Sequence, residues 1–226
     1  DLRLLVLALI AILSWRGLDG MLRTQSGLQL RADEIRRLQA GLAQWQTDHD
    51  LLVELPGTPS WSWDGKVLRL TRQAPASPPN GADTLASTRV QVVAWTWRND
   101  PGRPGGGDWQ RWQSAPLHQQ KEWLNAWNLA QQWGQTPDDI TRAGQVQVHP
   151  LAGWQLFVHR GGSWTNPLSS DAVATGTNSP AATLATVNFS TPPDGIRLVL
   201  TLPPGPAGSG DLSLDWVHPA LSGSAS

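Results

Sequence analysis

The apolar run Leu4–Leu13 (LLVLALIAIL) passes without a break into SWRGLDGMLRTQSGLQLRADEIRRLQAGLAQW. A helical period then sets in. Leu28, Ala32, Ile35, Leu38, Leu42 and Trp45 are spaced four, three, three, four and three apart, which draws one apolar stripe along a helix. Arg31, Asp33, Glu34, Arg36 and Arg37 occupy the other face. The two halves therefore read as one rod, greasy at one end and amphipathic at the other. Packing in a domain core is the plain reading of the stripe. Gly17, Gly20 and Gly27 weaken the middle of the rod and predict a bend or an unwound stretch there.

The greasy end is short for a bilayer. A crossing helix needs about 20 apolar residues, and Leu4–Leu13 does not supply them. Extension through Trp15, Leu18, Met21 and Leu22 gives the length but adds Arg16 and Asp19, three apart and expected to pair. Such a span is reasonable when neighbouring helices cover it. A secretory signal would show a small-x-small cleavage site, and Trp15-Arg16-Gly17 is a poor one. The expected membrane or filament-core contacts are Leu4, Leu5, Val6, Leu7, Leu9, Ile10, Ile12, Leu13, Trp15, Leu18, Met21 and Leu22. A rod of this kind suits a filament subunit anchored in a membrane better than a free enzyme.

Beyond Glu54 the period changes. Leu55-Pro-Gly-Thr-Pro59 breaks the helix, and Trp61–Leu70 alternates around Asp64-Gly65, a tight hairpin signal. A Pro/Ser/Gly/Asn-rich loop covers residues 74–82. Thr88–Arg98 is apolar on both faces, as a central strand requires, and Trp109–Trp112 reads as its partner across a turn at residues 99–107. Leu117–Trp133 reads as a short helix with Gly134 as its stop. Strands follow at Val146–Val148, Trp154–Trp164 (a hairpin over Gly161-Gly162), Gly195–Leu202 and Asp211–Val217. Small-residue or Pro/Gly loops are expected at 169–185 and 203–210. The fold class is α+β: a long N-terminal helix on one or two antiparallel sheets, with a short second helix. The organisation is a hydrophobic helix at 1–27 and a globular head at 28–226, itself an amphipathic helix at 28–50 and a β-rich part at 55–217.

Chemical motifs are sparse. With no cysteine in the chain, disulfides, thiolate zinc sites and cysteine nucleophiles are excluded. A net charge of −1 gives no field that attracts nucleic acid. His49, His118, His149, His159 and His218 form no HExxH pair, although His149 and His159 lie near strand ends that can meet. Asp48-His49-Asp50 reads as a solvated turn at the end of the helix rather than a catalytic dyad. Asp83, Asp138 and Asp139 lack the ordered spacing of a calcium loop. No G-x-S-x-G elbow or phosphate-binding loop is present. No catalytic, cofactor-binding or metal-ligating residue is expected.

Fourteen tryptophans stand against two phenylalanines and no tyrosine. The Trp61/Trp63 and Trp95/Trp97 pairs each fall on one strand face, which allows three readings. They fill a core, they form a partner interface, or they make a platform for stacking sugars.

The order of elements and several strings resemble the minor pseudopilins of type II secretion systems, J type (the GspJ/PulJ family). The carrying residues are RLLVLALIAIL at the head, Trp15-Arg16-Gly17-Leu18-Asp19-Gly20-Met21, and Leu38-Gln-Ala-Gly-Leu42; Trp154–Trp164 and Gly195–Leu202 resemble the family's C-terminal hairpin and strand. Where mature family members have a Glu near the start of the helix, this chain has Arg3. The resemblance implies a pilin-like fold and a non-catalytic, single-pass inner-membrane protein with a periplasmic head. Its implied partners are the I, K and H types in the pseudopilus tip, with secreted substrate as a further contact. The implied role is to prime filament assembly for protein export. A minor pilin of a type IV pilus and a membrane-tethered, Trp-rich glycan-binding module are the alternatives.

Overall fold

The computed structural model describes residues 2–75, 89–103, 105–168, 187–189, 192–206 and 208–219. Helix α1 (Leu2–Asp50) is continuous through Gly17, Gly20 and Gly27, so no unwound stretch interrupts it there. Strands β1 (Trp61–Trp63), β2 (Val67–Gln73), β3 (Val90–Asn99) and β4 (Gly107–Gln113) follow, then helix α2 (Gln120–Gln135). The chain continues through β5 (Gln145–Leu151), β6 (Gly153–Arg160), β7 (Ser163–Thr165), β8 (Val187–Phe189), β9 (Gly195–Gly205) and β10 (Gly208–Val217).

Two sheets form, in the orders β5-β4-β3-β2-β1-β8 and β10-β9-β6-β7. Every pairing is antiparallel. The β1–β2 hairpin turns where Asp64-Gly65 predicts. Gly65 sits at φ +90°, and the Asp64 carboxylate accepts the backbone N–H of Lys66 (2.9 Å) and Val67 (2.6 Å). The Gly161-Gly162 turn likewise joins β6 to β7, with Arg160 opposite Ser163.

Alternation on the large sheet builds two cores. Trp61, Trp63, Leu68, Leu70, Val93, Trp95 and Trp109 face α1 and the small sheet, where they meet Leu38, Trp45, Leu198 and Trp216. Val67, Val92, Ala94 and Trp112 face the opposite way, onto Trp123, Trp127, Ala130 and Trp133 of α2. The layers are thus α2, the large sheet, and then α1 with the small sheet.

Two expectations are corrected. Gly134 does not stop α2; it lies inside the helix, and a Cβ there would run into Val67. The helix needs that glycine so its last turn can approach β2. Carbonyls of that turn accept from basic side chains, Trp133 O from Arg98 on β3 (2.7 Å) and Gln135 O from Lys66 in the β1–β2 turn (3.2 Å). The Pro/Gly stretch 203–210 is not a loop, because β9 and β10 extend to Gly205 and from Gly208. Most of the 74–82 loop, and the 169–185 loop, lie outside the described residues.

Candidate functional site

The first part of α1 packs against none of the described residues of the head. From Leu2 to Arg31 every described side chain is exposed except that of Asp19, and the large apolar ones are open to solvent: Val6 47%, Ile12 57%, Met21 73%, Trp15 74%. Val6, Leu7, Leu9, Ile10, Ile12, Leu13, Trp15, Leu18 and Leu22 are set about 100° apart per residue along the helix. They therefore cover the whole circumference and not one face. Burying each such side chain contributes roughly 1.5–3 kcal/mol, and nothing in the described chain does so. The side chains of Leu4 and Leu5 are not described. Among the described residues no helix is long and apolar enough to cross a membrane. Asp19 pairs with Arg23 (2.7 Å), one turn onward, rather than with Arg16. Its exposure makes that pair worth little.

The stripe engages only from Ala32. Leu28 is 63% exposed, whereas Leu38 and Trp45 are buried, and Leu42 packs against the same core. Gly41 lets the helix sit close on the sheet, where a Cβ would collide with Val148 and reach within 3.1 Å of Trp109. Glu34 lies 3.4 Å from Nε2 of His149 on β5.

The end of the helix is not the solvated turn that Asp48-His49-Asp50 suggests. Asp48 is 0% exposed and His49 1%. Arg111 grips the Asp48 carboxylate with both prongs, Nε to Oδ2 (2.7 Å) and Nη2 to Oδ1 (2.9 Å). Trp95 Nε1 donates to Oδ2 (2.9 Å), Gln44 Nε2 donates to Oδ1 (2.9 Å), and Arg72 Nη1 lies 3.2 Å from Oδ1. Gln113 accepts from Arg111 (2.8 Å) and Gln91 from Arg72 (3.2 Å). One carboxylate thus joins α1 to β2, β3 and β4 at once. Next to it, Trp216 on β10 donates to Asp50 (2.8 Å), which adds the small sheet.

The charge balance is tight. Two guanidiniums share one carboxylate. Burial pushes Arg72 below its ordinary value, while Asp48 opposes that shift. A third cation is avoided because burial lowers His49 to about 4, against weaker opposing effects of the Trp45 carbonyl, Asp48 and Asp50. His49 Nδ1 donates to Trp45 O (2.8 Å). Its ring therefore stays neutral near pH 7. Asp48 is sealed from solvent and fully engaged in this network, so the network acts as a joint.

The tryptophans expected on a partner face are placed inside. Trp61 and Trp95 are 0% exposed, Trp63 is buried, and Trp97 is half-buried with its Nε1 donating to Leu151 O (3.0 Å). They form no open platform for a protein or a sugar. The reason is α1: Trp45 packs edge-on to Trp95, with ring centres 5.5 Å apart.

His149 and His159 do not share a site. The first contacts Glu34 and the second lies 5.3 Å from the Trp164 ring. No group of three His, Asp or Glu among the described residues is arranged to hold a metal. Asp138 accepts from the backbone and hydroxyl of Thr141 instead, and Asp83 lies outside the described residues.

The Asp48 joint escaped the sequence reading, yet a signal existed. Asp48 falls three residues after Trp45 and so continues the buried stripe. A carboxylate on an apolar stripe requires buried cations, and Arg72 and Arg111 stand on flanking strands. Compared with known proteins, the chain matches no family model, no curated protein and no solved structure.

Proposed function

We propose that this chain is a minor pseudopilin of the J type, a subunit that works by assembly at the tip of a type II secretion pseudopilus. The observation that carries the reading is the projecting part of α1. About thirty residues of continuous helix stand clear of the head, with apolar side chains around the full circumference. Such a surface calls for the company of similar helices. Leu4–Leu13 rises about 15 Å, half of the ~30 Å hydrocarbon layer. The stem rests in the inner membrane beside other stems and then passes into the filament core, while the head faces the periplasm. An α+β head on the second half of one long helix agrees with the pilin-like architecture of that family. The role is to prime assembly with the I, K and H types, with no reaction catalysed by this subunit.

Co-purification tests this. The full chain, in detergent, is mixed with I- and K-type subunits of one secretion system. A stable complex at micromolar concentration, lost when Ile10 and Leu13 are both replaced by Glu, is the expected result. No complex with either subunit overturns the reading. Binding only to a major pilin of a type IV pilus moves the chain to that filament.

A further inference from the structure

Among the described residues, the edge of the small sheet at β10 is open. Strand β10 closes one side of that sheet and pairs only with β9 among the described residues. It runs for ten residues, GSGDLSLDWV, without Pro, Lys or Arg; its register shift lies at its start, between Gly208 and Gly210, and Asp211–Val217 pair with β9 in unbroken register. The other edges differ. β7 and β8 have three residues each, and β5 carries Pro150 and sits across a register shift.

The side chains of β10 state what a partner must bring. Leu212 and Leu214 point to the main core but remain half-buried, so their outer flanks lack a neighbour strand. Asp211, Ser213 and Asp215 form the exposed row. Asp215 is already matched by Arg197, both contacts 2.6 Å. Asp211 accepts from the Thr201 hydroxyl, at 2.8 Å, and among the described residues no cation pairs with it. A second copy of β10 brings two more carboxylates and no cation. We propose that β10 is a docking edge for an extended segment of a partner protein. That segment alternates apolar residues, laid beside Leu212 and Leu214, with basic residues on the opposite face, one of them laid beside Asp211. This surface is separate from the α1 stem and does not depend on the pseudopilin reading.

The test uses the full chain in detergent micelles and the synthetic peptide Lys-Val-Lys-Val-Lys-Val-Lys. Two further peptides serve as comparisons, one N-methylated at alternate residues and one with Glu in place of each Lys. Anisotropy reads the affinity, and hydrogen–deuterium exchange reads the location. Saturable binding that protects residues 208–217, and that the N-methylated peptide fails to reproduce, is the expected result. Asp211→Lys should weaken the lysine peptide by about tenfold and favour the glutamate peptide. Equal binding of the N-methylated peptide, which needs no folded variant to interpret, overturns the proposal. So do an absence of saturable binding, protection confined to another strand, and a β10 already protected in the peptide-free chain.

Discussion

Asp48 shows how much one side chain can hold. Removing it leaves the guanidiniums of Arg72 and Arg111 buried without their shared anion. Asp48→Ala should therefore cost about 3–5 kcal/mol, read as a fall in the urea midpoint. Replacing Asp48, Arg72 and Arg111 together by Met should recover most of that loss, since the cost lies in the unpaired charge rather than in the missing contact. The neighbouring His49 adds a pH dependence with a definite sign. Its folded value near 4 lies below the ordinary 6.5, so the unfolded chain binds the extra proton first. Its contribution is complete above about pH 6.5 and is lost as pH falls toward 4, amounting to about 3 kcal/mol at most. Urea midpoints at pH 7.5 and 4.5 should diverge in the native chain and converge in His49→Gln.

Among the elements, alternation and turn chemistry were legible. The hairpins at Asp64-Gly65 and Gly161-Gly162, and the strands on both sides of Asn99–Gly107, are where Val, Trp and Gly place them. Helix α2 was legible from Trp123, Trp127 and Ala130, all buried. Its end was not, because a glycine read locally is a stop, while here it answers a distant valine. Gly134→Ala should accordingly destabilise by about 1–3 kcal/mol through overpacking. Adding Val67→Ala should return part of the loss, a coupling that a double-mutant cycle in urea would measure. Strand β8 was missed because three residues between loops give no period. The Pro/Gly segment between β9 and β10 misled for the opposite reason. Its prolines suggested a loop, but pairing with a partner strand overrode them.

At the scale of the whole molecule, head and stem behave as separate problems. The head satisfies itself with two cores, whereas the apolar girdle of the stem has no partner among the described residues. Without detergent the full chain should form large species in light scattering. The Ile10→Glu, Leu13→Glu double variant should shift toward monomer, with an unchanged near-ultraviolet circular dichroism signal from the tryptophans. The sequence showed that girdle plainly, because composition alone reveals it. It could not show where the helix meets the head, since Leu28 and Leu38 look alike until a sheet covers only one of them.

A helix of 49 residues is about 73 Å long, and the part standing free is about 45 Å. That geometry makes it a towing bar. Tension applied at its tip travels down the helix's hydrogen-bonded backbone and arrives at the far end, where the Arg111 fork clasps Asp48. Pulling therefore loads three strands of the large sheet together, through Arg72, Trp95 and Arg111, instead of one strand alone.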